Sequence, residues 1–117
     1  MKNDISAIGN ALVDTVFKVE HNLISELGLE IDQMTLSSAE EHAPVIERLI
    51  TSGADHVSDC GGSATNSLVA AANFGAKCFH ICKVSDDEDG LRYLKSLKEA
   101  GVNHKGITAS ANSIPTG

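Results

Sequence analysis

Tryptophan is absent from this chain, and the remaining aromatics are three phenylalanines and one tyrosine. So few aromatics argue against a stacking platform for nucleic-acid bases. Basic residues are few and dispersed: 9 Lys and Arg stand against 16 Asp and Glu, a net charge of -7. No basic cluster exists to neutralise phosphates, which argues against nucleic acid or an anionic membrane surface as a partner. No apolar run approaches a transmembrane span, and the amino terminus, with Asp4 among its first residues, does not resemble a signal peptide. The three cysteines, Cys60, Cys78 and Cys82, lack zinc-ligand spacing and read as buried thiols of a cytoplasmic protein. Cys78 and Cys82 lie an even number of residues apart in an expected strand, so both point to one face. No Gly-x-Gly-x-x-Gly follows the first strand, which weakens a Rossmann-like nucleotide binder, although a nicotinamide cofactor that raised the melting temperature would revive it.

What is present is most informative at Gly61-Gly62-Ser63-Ala64-Thr65-Asn66-Ser67, which runs into the apolar stretch Leu68 to Phe74 and then Gly75. Adjacent glycines take positive φ and let a ligand approach the backbone. Ser63 is expected as the N-cap of an alanine-rich helix, whose free N–H groups and partial positive charge suit a hydroxyl-rich or anionic ligand. The plainer alternative is a tight turn into a buried helix.

Elsewhere the pattern predicts a buried first strand from Ile5, with Gly9 and Asn10 at its carboxyl end, and an extended segment over Leu12–Val19. A short helix, Leu23–Leu27, is expected to be capped by Asn22 and ended by Gly28. Asp32–Leu36 reads as a short strand. Ser38 and Glu41 form a capping-box pattern ahead of a helix over Ala39–Ile50, with Pro44 inside it. Strands are expected at His56–Cys60, Lys77–Val84 and from Val102 to Thr108. Between them come a small-residue helix, an acidic loop over Ser85–Gly90 and a helix that stops at Gly101. This alternation is βαβ punctuation and predicts a partly parallel sheet. At Ser113-Ile114-Pro115-Thr116-Gly117 the chain reads as the lead-in to another strand, so the expectation is the front portion of something larger.

Three features, in order, resemble the PfkB family of small-molecule kinases, which includes ribokinase and adenosine kinase. They are Gly9-Asn10-Ala11-Leu12-Val13-Asp14, then Gly61-Gly62-Ser63-Ala64-Thr65-Asn66 with Gly75, then Asp86-Asp87 with Gly90, Ala100-Gly101-Val102 and Pro115-Thr116-Gly117. Leu68 and Ser85 depart from the family pattern without removing a ligand-contacting group. The resemblance implies a ribokinase-like α/β fold: a partly parallel βαβ sheet with a small β lid at about 15–60. Residues 1–117 would be the amino-terminal part of a larger three-layer domain.

The implied function is the substrate-binding portion of a kinase that moves the γ-phosphoryl of Mg-ATP to a hydroxymethyl group of a sugar or nucleoside. Substrate contacts are expected from Asn10, Asp14, Gly61, Gly62, Ser63 and Asn66. Asp14 would accept hydrogen bonds from two substrate hydroxyls, and Asn66 would offer both donor and acceptor. The alternatives are an exposed strand-end or capping aspartate and an asparagine that stitches two loops together. Asn10 and Pro115-Thr116-Gly117 lean towards a nucleoside. ATP and Mg2+ are implied for the whole enzyme, and a homodimer through the lid strands is one arrangement the family allows. No Gly-x-Gly-Asp occurs, so the catalytic base and anion hole are not expected here, and this chain by itself is expected to be inactive. A non-catalytic sugar- or nucleoside-binding module is the alternative. No metal site is expected: the run Asp86, Asp87, Glu88, Asp89 has no EF-hand spacing and suits a helix start. The five histidines are scattered, and none is a candidate general base.

Overall fold

The computed structural model describes residues 2–110, Asn112 and Thr116. The expected lead-in strand at 113–117, including Pro115 and Gly117, lies outside the described residues except for Thr116. In order, the elements are β1 (Ile5–Ile8), β2 (Leu12–Phe17), α1 (His21–Glu26), α2 (Ala39–Thr51), β3 (His56–Gly61), α3 (Ser63–Asn73), β4 (Cys78–Ile81), α4 (Glu88–Glu99) and β5 (Val102–His104). The chain divides into two compact units, residues 1–14 with 58–117 and residues 15–57. β2 and β3 pair with each other in a two-stranded sheet.

The first unit is built on a parallel sheet in the order β1-β4-β5. Its register aligns Ala7 with His80 and His80 with His104. On β4, Cys78 and His80 alternate towards one face and are fully buried. That face is covered by helices: Thr65 of α3 and Tyr93 of α4 both reach His80. The core comprises Ala11, Leu68, Cys78, Val84, Tyr93, Leu97 and Val102. The opposite face carries Ser6, Ile8, Phe79 and Ile81, and there Ile8 is 80% exposed. β1 is thus mostly exposed rather than buried: only Ala7 is partly covered, and Ile5, on the inner face, is 42% exposed.

The second unit, residues 15–57, buries little. Among its described hydrophobic side chains only Leu23 is buried, and α2 has no buried residue. The capping box forms as its local pattern predicts: the Glu41 N–H donates to Ser38 Oγ and the Ser38 N–H donates to Glu41 Oε2. These bonds hold the Glu41 carboxyl below its ordinary range. α2 runs on through Pro44 to Thr51.

Four local expectations are corrected. Asp32–Leu36 is not a strand: Asp32 sits at φ +61°, which breaks an extended run. α1 starts earlier, at His21, with Glu20 as its N-cap, and the Asn22 side chain accepts only from the neighbouring Leu23 N–H. α4 begins at Glu88 inside the expected acidic loop, because the Asp87 carboxylate accepts from the Gly90 N–H at 2.7 Å and caps the helix there. The expected strands at 77–84 and 102–108 shorten to four and three residues.

Candidate functional site

Backbone conformation sets the site. Gly62 takes φ +96° and ψ 149°, a region open to glycine alone, and serves as the N-cap of α3. Ser63 is therefore the first helical residue and not the cap, a correction that follows from the turn Gly62 makes. No side chain caps this end, and Ser63 itself is exposed. Asn66, also exposed, lies one turn along, its N–H donating to the Gly62 carbonyl at 2.9 Å.

Asp14 lies on β2 and Gly61 is the last residue of β3. The Asp14 carboxylate rests so closely on Gly61 that a Cβ at that position would collide with it. Glycine is required there for an acidic side chain to sit over the strand end. The Asn10 carbonyl oxygen lies 3.2 Å from where a Cβ on Gly62 would stand, with Leu12 Cδ1 at 3.6 Å. Asn10 and Asp14 are solvent-exposed, and Gly61 is buried beneath them. The first two motifs, far apart in sequence, thus meet: Asp14 on Gly61 and Asn10 on Gly62, at the open start of α3. Chemically this is an exposed carboxylate acceptor, an amide that can both donate and accept, and unpaired backbone N–H groups, a set suited to polyhydroxylated ligands.

The third motif does something else. Asp87 Oδ2 accepts from the Thr116 N–H at 2.6 Å, while Thr116 Oγ1 accepts from the Ser85 N–H at 2.9 Å. Burial acts to raise the Asp87 pKa, but the Thr116 and Gly90 donors outweigh it and hold the carboxyl below its ordinary value. Asp87 is therefore committed to joining α4 to the segment at Thr116. Among the described residues no three His, Cys, Asp or Glu side chains converge on a possible cation position.

Three residues near the site escaped the sequence reading. Thr65, His80 and Tyr93 are fully buried and hydrogen-bonded in a chain beneath the first turn of α3. A signal existed for two of them: Thr65 shares a helical face with Leu68, Val69 and Ala72, and His80 alternates between Cys78 and Cys82. Burial raises the Tyr93 and Cys82 pKa values, in both cases as the largest influence. Cys60, Cys78 and Cys82 are all free; Cys78 is buried and the other two are half-buried. A separate cleft of about 340 Å3 in the second unit is lined by Lys18, Glu20, Leu23 and Arg48 among others, and contains none of the six candidate residues.

Residues 31–117 match the family model described as pfkB family carbohydrate kinase. A ribokinase from Dictyostelium discoideum is 34% identical over 65 residues, which is 56% of this chain and 20% of that protein. A ribokinase from Bacillus subtilis (strain 168) is 48% identical over 42 residues, 36% of this chain and 14% of that protein. Among solved structures, adenosine kinase from Sinorhizobium meliloti superposes with a TM-score of 0.69 at 27% identity, covering 94% of this chain and 32% of that one. The chain thus spans about a third of the solved kinase and a smaller share of the curated relatives it matches. Among the described residues no helix is long and apolar enough to cross a membrane.

Proposed function

This chain belongs to the pfkB family of carbohydrate kinases, and from that premise we propose that it is the substrate-holding portion of an ATP-dependent kinase acting on a sugar or nucleoside in the cytoplasm. The reaction joins a substrate hydroxymethyl oxygen to the γ-phosphorus of ATP, with ADP leaving and the hydroxyl proton passing to a base. Such catalysis is mostly positioning and charge stabilisation. The described residues are assigned the positioning half. Asp14 accepts hydrogen bonds from two substrate hydroxyls, Asn66 donates and accepts at a third, and Gly61 and Gly62 let the ring approach the backbone. Ser63 and Asn10 border the same opening. ATP and Mg2+ belong to the whole enzyme. The described side chains do not fit a metal cage, and no step is assigned to the ion on this chain.

The observation that carries this reading is the Asp14 carboxylate seated on Gly61 beside the glycine-only turn of Gly62. A carboxylate so placed is open to solvent over the last residue of β3 and can accept hydrogen bonds from hydroxyls. Residues 1–117 are the amino-terminal part of one such domain, and the segment at about 15–60 acts as a lid that excludes water from the transferring phosphoryl. Val16 and Val57, both exposed on the lid strands, support a homodimer formed through them.

Calorimetric titration of this chain with ribose and with adenosine tests the holding role, and phosphoryl transfer is assayed on the gene product isolated from its native cell. Asp14→Asn lowers affinity at least tenfold, since charge-assisted hydrogen bonds to a hydroxyl pair are worth about 1.5–3 kcal/mol each. Unchanged affinity and turnover in Asp14→Asn overturn the assignment. Binding without phosphoryl transfer by the native gene product would favour the second reading, a non-catalytic binding module.

A further inference from the structure

The first turn of α3 is fastened from beneath by buried polar groups. Thr65, third residue of the helix, places Oγ1 2.8 Å from the Tyr93 hydroxyl of α4 and 3.4 Å from His80 Nε2 of β4. All three side chains are at 0% exposure. The Tyr93 hydroxyl bonds in turn to the Cys82 thiol. One order of donation satisfies the hydroxyls: His80 Nε2–H to Thr65 Oγ1, the Thr65 O–H to the Tyr93 oxygen, and the Tyr93 O–H to Cys82 Sγ. It leaves His80 Nδ1, which has no partner, as a bare lone pair. The opposite tautomer would bury an unpaired N–H, the costlier orphan.

A second proton on His80 has to enter at Nδ1, where nothing accepts it. The groups that face this ring are Thr65 from α3, Tyr93 from α4, Ala7 from β1, Gly9 just after that strand, and His104, its register neighbour on β5. No carboxylate is among them. Burial first, and then the like charge of His104, oppose the imidazolium. Once it forms, a desolvated cation sits in a core with no counter-charge, and relief comes from opening the packing around it. The turn held by Thr65 is hydrogen-bonded directly to that ring and reaches solvent at Ser63 and Asn66.

We propose that Thr65, Tyr93 and His80 are positioning residues for the turn Gly62–Asn66, and that protonation of His80 releases this turn and weakens substrate binding. The binding half rests on the reading of Asp14, Gly62 and Asn66 as substrate contacts; the fastening half does not.

The test uses this chain between about pH 7.5 and pH 5. NMR follows the His80 ring signal, protection of the Asn66 amide against exchange, and protection of the Leu97 amide in the core. Calorimetry with ribose and adenosine runs at the same pH values. As His80 gains its proton, Asn66 protection falls about tenfold and ligand affinity falls with it, while the Leu97 amide stays the more protected of the two throughout. Thr65→Ser, which keeps the hydroxyl, preserves this behaviour. Thr65→Val lowers Asn66 protection at every pH, and His80→Gln removes the pH dependence from a folded chain. If Asn66 protection ignores the titration of His80, or if Asn66 and Leu97 show equal protection so that only global opening exposes the turn, the proposal is overturned. The same follows if His80→Gln keeps the pH dependence. Protection that tracks His80 while neither ligand binds at any pH supports the fastening and overturns the substrate reading instead.

Discussion

Residues 1–14 with 58–117 and residues 15–57 share similar proportions of apolar side chains yet use them differently. In the first unit, Leu68, Tyr93, Leu97, Val84 and Val102 close around the inner face of a parallel sheet, and each is at most 2% exposed. In the second, Val16, Ile31, Met34, Leu36, Ile50 and Val57 are all more than half exposed, and Leu23 alone is buried. The sheet of the first unit gives two helices a common surface to cover, so side chains far apart in sequence bury one another. The second unit has a strand pair, two helices and a loop that carries Met34 and Leu36 into solvent. Stability by burial thus concentrates in the first unit, while local hydrogen bonding such as the capping box carries more of the order in the second.

The comparison is broken most readily in the core. Leu68→Ala removes a side chain at 1% exposure and should cost about 2–5 kcal/mol. In urea unfolding followed by far-ultraviolet circular dichroism, Leu23→Ala in the second unit should move the midpoint far less. Equal shifts would mean that the two units share one cooperative core.

Next comes Gly62→Ala, which forces a side chain into φ +96° and costs about 1–3 kcal/mol. Melting temperature should fall, and ribose or adenosine affinity should fall more than stability does. A variant as stable as the parent would show that the turn adapts. An acid titration then sharpens the division. His80 and His104, both in the first unit, have pKa values lowered chiefly by burial. A histidine with a lowered folded-state pKa binds fewer protons than the unfolded chain, so its contribution is intact above about pH 6.5 and is lost as pH falls towards the folded value. Urea midpoints measured from pH 7.5 down to pH 5 should decline, and His80→Gln should flatten part of the slope. The smallest effect is Ser38→Ala, about 1 kcal/mol from loss of the cap. Exchange protection should drop in the first turn of α2 and stay constant in α4; loss in both helices would mean that this cap stabilises α4 as well.

Legibility from sequence followed the range of the interaction. The Ser38–Glu41 box spans three residues, and its pattern carried all the information required. The start of α4 was misread because the acidic run reads equally as loop or helix, and Asp87 decides the matter by capping at Gly90 while also holding Thr116. Asp32–Leu36 carries strand-like residues, but the positive φ of Asp32 belongs to a turn that no propensity signals strongly. At the site, the glycine pair announces a special backbone, and serine, in general a better cap than glycine, points to Ser63 as the N-cap. The φ of Gly62 overrides that preference.

By itself the sequence determined the parallel βαβ alternation, the glycine turn opening α3 and the family to which the chain belongs, because periodicity, glycine placement and motif order are local properties of the chain. Only the tertiary structure decided that Asp14 rests on Gly61, that one sheet face is packed while Ile8 lies bare on the other, and that Thr65, His80 and Tyr93 form one buried network. Those pairings join β2 to β3, β1 to β4, and α3 to α4 across long stretches of chain. Their free energy comes from desolvation and hydrogen-bond geometry that exist only once the elements have met.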